Sequence, residues 1–307
     1  MPRSRAQARP EVEVAASPLE STLAELDDLV GLQPVKEVVR EVVAYARVQQ
    51  KRAREQLVTS PLVLHMIFKG NPGTGKTTVA RIIGRLFHQV QILSKGHLVE
   101  VERADLVGEY IGHTAQKTRE QVKKALGGVL FVDEAYSLAR GGEKDFGREA
   151  IDVLVRAMEN YREQLVLILA GYKDEMEWFI RTNPGLRSRF PIQIDFDDYS
   201  LFELMAIGEK MLAERDYALS PEAGEELERI LRRSIFITGA AQNGNARLVR
   251  NLIEEAMRRQ AVRLMQNPRP TRHELMLLER SDFQSAIKIT EENELRACPI
   301  RPTATPF

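Results

Sequence analysis

The chain of 307 residues contains only one cysteine, Cys298, and one tryptophan. A single cysteine cannot form an internal disulfide, and the chain shows no cysteine spacing of a zinc site. Disulfide-stabilised secreted proteins are therefore excluded, and the sequence predicts a cytoplasmic protein.

Neither sign of charge is in excess, because 44 lysines and arginines balance 44 aspartates and glutamates. A balanced chain has no general attraction to nucleic acid or to an anionic membrane surface. Apolar runs approaching the ~20 residues of a membrane-spanning helix are also lacking. No apolar stretch follows the arginines of residues 1–10, as a secretory signal would require. We therefore expect no membrane partner and no nucleic-acid partner.

The 43% of hydrophobic residues are sufficient for a globular core. Between residues 62 and 196, short apolar runs alternate with segments of helical periodicity. Strands separated by helices indicate crossover connections, so we predict an α/β fold in which helices sandwich a largely parallel sheet. The predicted strands are residues 62–68, 98–101, 129–132, 165–170 and 192–196.

The strand patterns end at Tyr199, and the next residues form the capping box of a helix, Ser200 with Glu203. Further helical patterns follow, the longest over residues 246–264. We therefore predict a flexible N-terminal arm at 1–22, an α/β domain at 23–199, a small all-helical domain at 200–290 and a mobile tail at 291–307.

The strongest motif is G-x-x-x-x-G-K-T, which lies between a predicted strand and a predicted helix, as a phosphate-binding loop requires. Its glycines let the backbone N–H groups point at phosphate oxygens, and the helix N-terminus adds a positive field. Lys76 is expected to reach the β- and γ-phosphates and to act in catalysis, and Thr77 to hold Mg²⁺. The ATP-binding residues predicted here are Gly70, Asn71, Pro72, Gly73, Thr74, Gly75, Lys76, Thr77 and Thr78.

Two adjacent carboxylates, Asp133 and Glu134, follow the apolar strand pattern at 129–132. Ligands of open α/β sheets bind at this carboxyl end of the strands. Asp133 is expected to bind Mg²⁺ through water, and Glu134 to orient and polarise the attacking water. Two acids at this place favour hydrolysis of ATP over transfer to a small acceptor.

These motifs occur in the order found in AAA+ ATPases, and the sequence resembles the branch that contains stage V sporulation protein K and the red-type Rubisco activases. Within the branch, the likeness to the sporulation proteins is greater. The segments that carry the resemblance are residues 70–77, 109–115, 127–136, 183–190 and 244–247.

The resemblance implies a ring of identical subunits, usually a hexamer, with ATP bound between neighbours. It implies that Arg189 is an arginine finger, with Arg187 as a second contact, and that Arg247 senses the γ-phosphate. It also implies that Val30 and Gly31 pack on the adenine; a place in the core is the alternative for this apolar segment. A structural ion pair is the alternative role for one of the two finger candidates.

The segment Tyr110, Ile111 and Gly112 resembles the pore loops with which related rings grip a substrate. An aromatic ring can hold any polypeptide, and a glycine lets the loop move. A tyrosine of the core is the alternative. Tyr172 stands where many relatives have a polar residue that positions water, and its role stays open between that function and core packing.

Together these observations predict a Mg²⁺-dependent ATPase that forms a ring and pulls on an unidentified protein client, with a role in endospore formation implied by the resemblance. A red-type Rubisco activase is the alternative in the same class. A nucleic-acid motor or loader, and a nucleotide-dependent scaffold, are alternatives from other classes. The balanced charge argues against the motor, and Glu134 argues against the scaffold.

Overall fold

The computed structural model describes residues 17–59, 62–110, 112–140, 145–238 and 244–284. Ile111 of the predicted pore loop lies outside these ranges, as do residues 1–16 of the predicted arm and the whole of the predicted tail. Residues 285–290 of the predicted helical domain lie outside them as well.

A five-stranded parallel sheet forms the centre of the first domain, with the strand order β2-β3-β4-β1-β5. The predicted α/β fold is confirmed. β1, β3 and β4 are buried along their whole length, as expected for strands covered on both faces. β1 begins later than predicted, because the ladder with its neighbours starts only at Met66. The strands are β1 (Met66–Gly70), β2 (Leu98–Val101), β3 (Gly128–Val132), β4 (Leu165–Gly171) and β5 (Ile192–Phe196).

Helices cover both faces of this sheet in the described residues. Val39 and Ile83 belong to the core on one face, and Val122, Leu154 and Phe179 to the core on the other. None of the described helices is long and apolar enough to cross a bilayer. The helices are α1 (Pro18–Asp27), α2 (Gln33–Arg54), α3 (Lys76–Gln89), α4 (Arg103–Leu106), α5 (His113–Ala125), a 3₁₀ turn (Ala135–Ala139), α6 (Gly147–Asn160), α7 (Lys173–Thr182) and α8 (Pro184–Arg187).

The first helix corrects the predicted arm at 1–22, since α1 already begins at Pro18. Ser17 and Glu20 form a capping box, in which the Ser17 amide donates to the Glu20 carboxylate at 2.8 Å. A proline breaks a helix interior, but the first turn needs no amide hydrogen from it. As a helix breaker, Pro18 predicts a flexible arm. In the structure it is the first residue of α1, a position at which proline is favoured.

The second domain is helical, as predicted, and has its own core around Leu204, Leu227 and Leu252. One feature was not expected: β6 and β7 form a short parallel pair. Strands of two residues show no alternation of polar and apolar side chains, so no pattern could indicate them. The elements are α9 (Leu201–Ala213), β6 (Ala218–Leu219), α10 (Pro221–Thr238), α11 (Asn245–Leu264), α12 (Arg272–Met276), β7 (Leu277–Leu278) and α13 (Arg280–Gln284).

Candidate functional site

A cavity of about 270 Å³ lies where β1, β3 and β4 end and where the second domain begins α11. The carboxyl ends of parallel strands are the usual binding edge of an open α/β sheet. The residues that line the cavity are Gly70, Pro72, Gly73, Gly75, Lys76, Thr77, Thr78, Asp133, Glu134, Gly171, Tyr172, Ala246, Arg247 and Arg250.

The loop between β1 and α3 has the backbone that its glycines permit. Gly73 and Gly75 have φ angles of +75° and +95°, in the left-handed region that residues with a Cβ seldom adopt. A Cβ on Gly73 would come within 2.3 Å of the Gly244 carbonyl oxygen, so this glycine also allows the second domain to approach. Gly75 is the N-cap residue of α3, which places the helix N-terminus at the cavity.

Lys76 extends along this loop, where its ammonium donates to the carbonyl oxygens of Gly70 at 2.8 Å and Asn71 at 2.7 Å. Burial lowers the pKa of Lys76 to about 8; Asp133 opposes this shift and Arg247 reinforces it. An anion bound in the cavity would stabilise the charged form and raise the pKa again. The site therefore holds a cation whose surroundings favour a negatively charged ligand.

The two predicted acids line the same cavity, directly after β3. The Asp133 carboxylate accepts a hydrogen bond from the Glu134 amide at 3.0 Å. Glu134 has a left-handed backbone, with φ 45° and ψ 43°, which costs a non-glycine residue roughly 1–2 kcal/mol. Asp133 and the Thr77 hydroxyl provide oxygen ligands of the kind that Mg²⁺ prefers, so the residues present fit this ion.

The second domain contributes two arginines, Arg247 and Arg250, from the first turns of α11. A hydrogen bond between the two domains holds the start of α11, and so these arginines, at the cavity. The Ala246 backbone amide donates to the Gly73 carbonyl oxygen at 3.2 Å. Arg250, one turn after Arg247, is a further lining residue. Tyr172 lines the cavity as well, and it is also partly buried against the core on one face of the sheet.

Two loop residues predicted to bind ATP use their side chains elsewhere. The Asn71 amide donates to both carboxylate oxygens of Asp198, at 3.0 and 2.9 Å. The Thr74 side chain is fully buried, and its hydroxyl donates to the Asn71 carbonyl oxygen at 2.8 Å. Both side chains stabilise the loop and neither lines the cavity, so only the backbone of Asn71 and Thr74 could contact a phosphate.

Val30 and Gly31, predicted to pack on adenine, do not line the cavity. A Cβ on Gly31 would lie 2.2 Å from the Glu203 carboxylate, so this segment packs against the start of α9. The neighbouring Leu32 is within 3.4 Å of where a Cβ on Gly75 would be. The segment therefore adjoins the phosphate-binding loop through Leu32, without forming a wall of this cavity.

The finger candidates Arg187 and Arg189 also lie outside this cavity. Arg189 forms an ion pair with Glu159 of α6 and donates to the Gly185 carbonyl oxygen at 2.9 Å. The Arg187 side chain is exposed and has no hydrogen bond or ion pair within the described residues. The structural ion pair thus involves Arg189, the residue favoured as the principal finger.

Tyr110 is a surface residue, with 66% of its area exposed, so its alternative assignment to the core is wrong. Its ring stacks edge-on against His113, at 5.5 Å between centroids. Gly112 has a φ of +84°, and nothing lies within 4 Å of where its Cβ would be. The described part of the predicted pore loop is therefore open to solvent.

The fold and the site together define a nucleotide hydrolase of the phosphate-binding-loop class with a helical lid. The model of the ATPase family associated with various cellular activities (AAA) matches residues 66–198, and the AAA lid domain model matches residues 200–293. The chain belongs to this AAA family of ATPases and is an ATPase.

Several relatives are similar over most of their length. Stage V sporulation protein K of Bacillus subtilis is 55% identical over 259 residues, which cover 84% of this chain and 80% of that protein. Protein CbbX of Cereibacter sphaeroides is 49% identical, with 82% and 81% covered. The chloroplastic ribulose bisphosphate carboxylase/oxygenase activase of Cyanidioschyzon merolae is 44% identical, with 89% and 94% covered.

Solved structures share the fold at low sequence identity. The FIGL-1 AAA domain in complex with ADP has a TM-score of 0.58 at 17% identity, with 88% of each chain covered. The Thermotoga maritima RuvB Holliday junction branch migration motor has a TM-score of 0.53 at 20% identity, with 86% of this chain and 71% of that chain covered. These likenesses show the fold alone.

Proposed function

We propose that the chain assembles into a ring of its own copies, hydrolyses ATP between neighbouring subunits and pulls on a protein client through the central pore. A hexamer is the ring size that the AAA+ resemblance implies. The observation that carries the proposal is a division among the predicted residues. Lys76, Glu134 and Arg247 share one cavity, whereas Arg187 and Arg189 lie outside it. A site completed by a neighbouring subunit accounts for this division.

Within one subunit, the chemistry follows from what lines the cavity. The Lys76 ammonium and the N-terminus of α3 would bind the β- and γ-phosphates. Thr77 and Asp133 would hold Mg²⁺, which neutralises phosphate charge when it is bound. Glu134 would accept the proton of the attacking water, which makes that water a better nucleophile.

The pKa of Lys76 makes ATP affinity depend on pH. With a pKa of about 8 in the free protein, the ammonium is largely charged below pH 8 and loses its proton above it. Bound phosphate raises this pKa, so ATP binding takes up a proton above pH 8. Below pH 8 Lys76 is already largely protonated, so its titration should leave ATP affinity nearly unchanged with pH. Above pH 8 we expect ATP affinity to fall, toward about tenfold per pH unit.

A fluorescent-ATP titration between pH 7 and pH 9.5 measures this dependence. Lys76→Arg is the matched control, because arginine keeps its charge throughout that range. The ATP affinity of Lys76→Arg should change with pH only through the titration of the nucleotide itself. A wild-type curve that parallels the Lys76→Arg curve above pH 8 would contradict a lowered pKa of Lys76 in the free protein.

The proposed grip on the client rests on Tyr110. The aromatic side chain of Tyr110 is exposed, and Tyr110 does not line the nucleotide cavity. Gly112, two residues further on, has open space where its Cβ would be. We expect Tyr110→Ala to keep basal ATP hydrolysis within about threefold. Binding of fluorescein-labelled β-casein, an unfolded polypeptide, should weaken about tenfold or more, the loss typical of an aromatic anchor.

Tyr45→Ala is the matched control, since Tyr45 is a half-exposed tyrosine on α2. It should leave casein binding unchanged. Melting temperature is measured on the same preparations, and the loss of an exposed ring should hardly move it. If Tyr110→Ala hydrolyses ATP and binds casein like the wild type, the pore-grip role is wrong.

The relatives indicate two pathways for the client. Identity of 55% to stage V sporulation protein K favours a role in endospore formation. Identity of 49% to protein CbbX and 44% to a chloroplastic Rubisco activase supports activation of red-type Rubisco as the second candidate. Reactivation of inhibited red-type Rubisco by the purified chain, in the presence of ATP, would establish the second; no reactivation would leave the sporulation role as the proposal.

A further inference from the structure

A carboxylate outside the nucleotide cavity joins the two domains. Asp198 follows β5 and accepts hydrogen bonds from two side-chain amides. One belongs to Asn71 of the phosphate-binding loop, at 2.9 and 3.0 Å, and the other to Asn245 of α11, at 2.7 Å. A single side chain of the first domain thus holds both the loop and the lid.

Asn245 is the more constrained of the two amides. Its side chain is fully buried, and its backbone has a left-handed φ of +48°. Its amide oxygen accepts from the Tyr199 amide at 2.9 Å, and its amide nitrogen also approaches the Pro72 carbonyl oxygen at 3.3 Å. Each polar atom of the Asn245 side chain therefore has a partner in the first domain, at the loop or at the domain junction.

Arg247 stands two residues after Asn245 on the first turn of the same helix and lines the nucleotide cavity. The helix N-terminus cannot shift relative to the loop without breaking a bond to Asp198. A carboxylate suits this position because it accepts from both amides and brings no donor of its own. Hydrogen bonds to an ionised group are also stronger than neutral ones.

We propose that Asp198 is a positioning residue of the ATP site, which sets the place of Arg247 relative to the phosphate-binding loop. The inference rests on the proposed contact of Arg247 with the γ-phosphate. Asp198 touches neither nucleotide nor water in this role. It acts through Asn71 and Asn245, so its loss should affect the steps that depend on the γ-phosphate.

Asp198→Ala is the first test, with Asp197→Ala as the matched control. Asp197 is the adjacent carboxylate; its side chain is exposed and makes no hydrogen bond or ion pair within the described residues. We expect Asp198→Ala to lower kcat about tenfold or more, as misplacement of a group at the reacting atoms does. The preference for ATP over ADP should fall, while ADP affinity stays within about threefold.

A merely structural role would give a different result. It would lower the melting temperature and weaken ATP and ADP binding equally, without a separate effect on kcat. Asp198→Asn guards against an unfolded variant, because the new side-chain amide keeps an oxygen for Asn245 and can pair with Asn71 after the Asn71 amide flips. We expect this variant to fold and to show a smaller loss in the same direction.

The decisive experiment is a double-mutant cycle with Arg247→Ala. If Asp198 acts through Arg247, then Asp198→Ala should reduce kcat no further once Arg247 is absent. Losses that multiply in the double variant would overturn the inference. Arg247→Ala alone tests the role on which it rests: wild-type kcat in that variant would locate the failure in the arginine and not in the carboxylate.

Discussion

Replacing Glu134 by Gln should abolish most ATP turnover while the protein still binds ATP. The amide has the shape of the carboxylate but cannot accept a proton from water, and a positioned general base contributes about 10²–10⁴-fold to rate. Glu134 lines the cavity. Its hydrogen bond to Asp133 is made by the backbone N–H, so the change in the side chain leaves this bond in place. We therefore expect kcat to fall by about that factor, with ATP affinity within about threefold of the wild type.

Phosphate release and fluorescent-ATP binding, measured on the same preparation, test this expectation. Glu175→Gln is the matched control, because Glu175 is a carboxylate of the first turn of α7 that does not line the cavity. It should keep wild-type turnover. If Glu134→Gln releases phosphate at the wild-type rate, Glu134 is not the base.

Arg189→Ala should reduce turnover strongly and leave nucleotide binding nearly intact. An arginine finger acts on the transition state and is worth about 10³–10⁵-fold in comparable hydrolases. Arg189 lies outside the cavity of its own subunit, so its removal leaves the residues around the bound phosphates unchanged. We expect kcat to fall by about 10³-fold and ATP affinity to change by less than about threefold.

The ion pair with Glu159 provides the control for this variant. Both partners are partly exposed, and such surface pairs contribute at most about 1 kcal/mol to stability. Glu159→Gln removes the pair and keeps Arg189, so it should hydrolyse ATP at a near wild-type rate. If it loses as much activity as Arg189→Ala, Arg189 has a structural role, and Arg187 becomes the finger candidate.

The parts of the site that sequence could predict are those in which local pattern and chemistry coincide. Lys76 and Thr77 stand at a fixed spacing from their glycines, directly between a strand and a helix. Asp133 and Glu134 end a strand that is apolar throughout. The parallel sheet follows from the alternation of strands and helices, so it brings these residues to one edge whatever their separation in the chain.

The contacts between the domains could not be predicted in this way. Asp198 and Asn245 are 47 positions apart, and each is a common loop residue when read alone. Asparagine adopts the left-handed backbone more readily than most residues, but it adopts other conformations more often, so its identity alone does not predict the φ of Asn245. Pro18 is placed in the predicted arm because proline breaks a helix at interior positions and favours it at the first position. The capping partners Ser17 and Glu20 indicate that Pro18 is at the first position.

Mixing two inactive variants tests most directly whether neighbouring copies complete one ATP site. Lys76→Ala lacks the cation at the phosphates, and Arg189→Ala lacks the finger, so each retains what the other has lost. Sedimentation of the mixtures in the presence of ATP verifies that the two variants assemble together. We expect mixed rings to recover part of the wild-type hydrolysis, with a maximum at an intermediate ratio. Mixed rings without activity at any ratio would contradict a site shared between subunits.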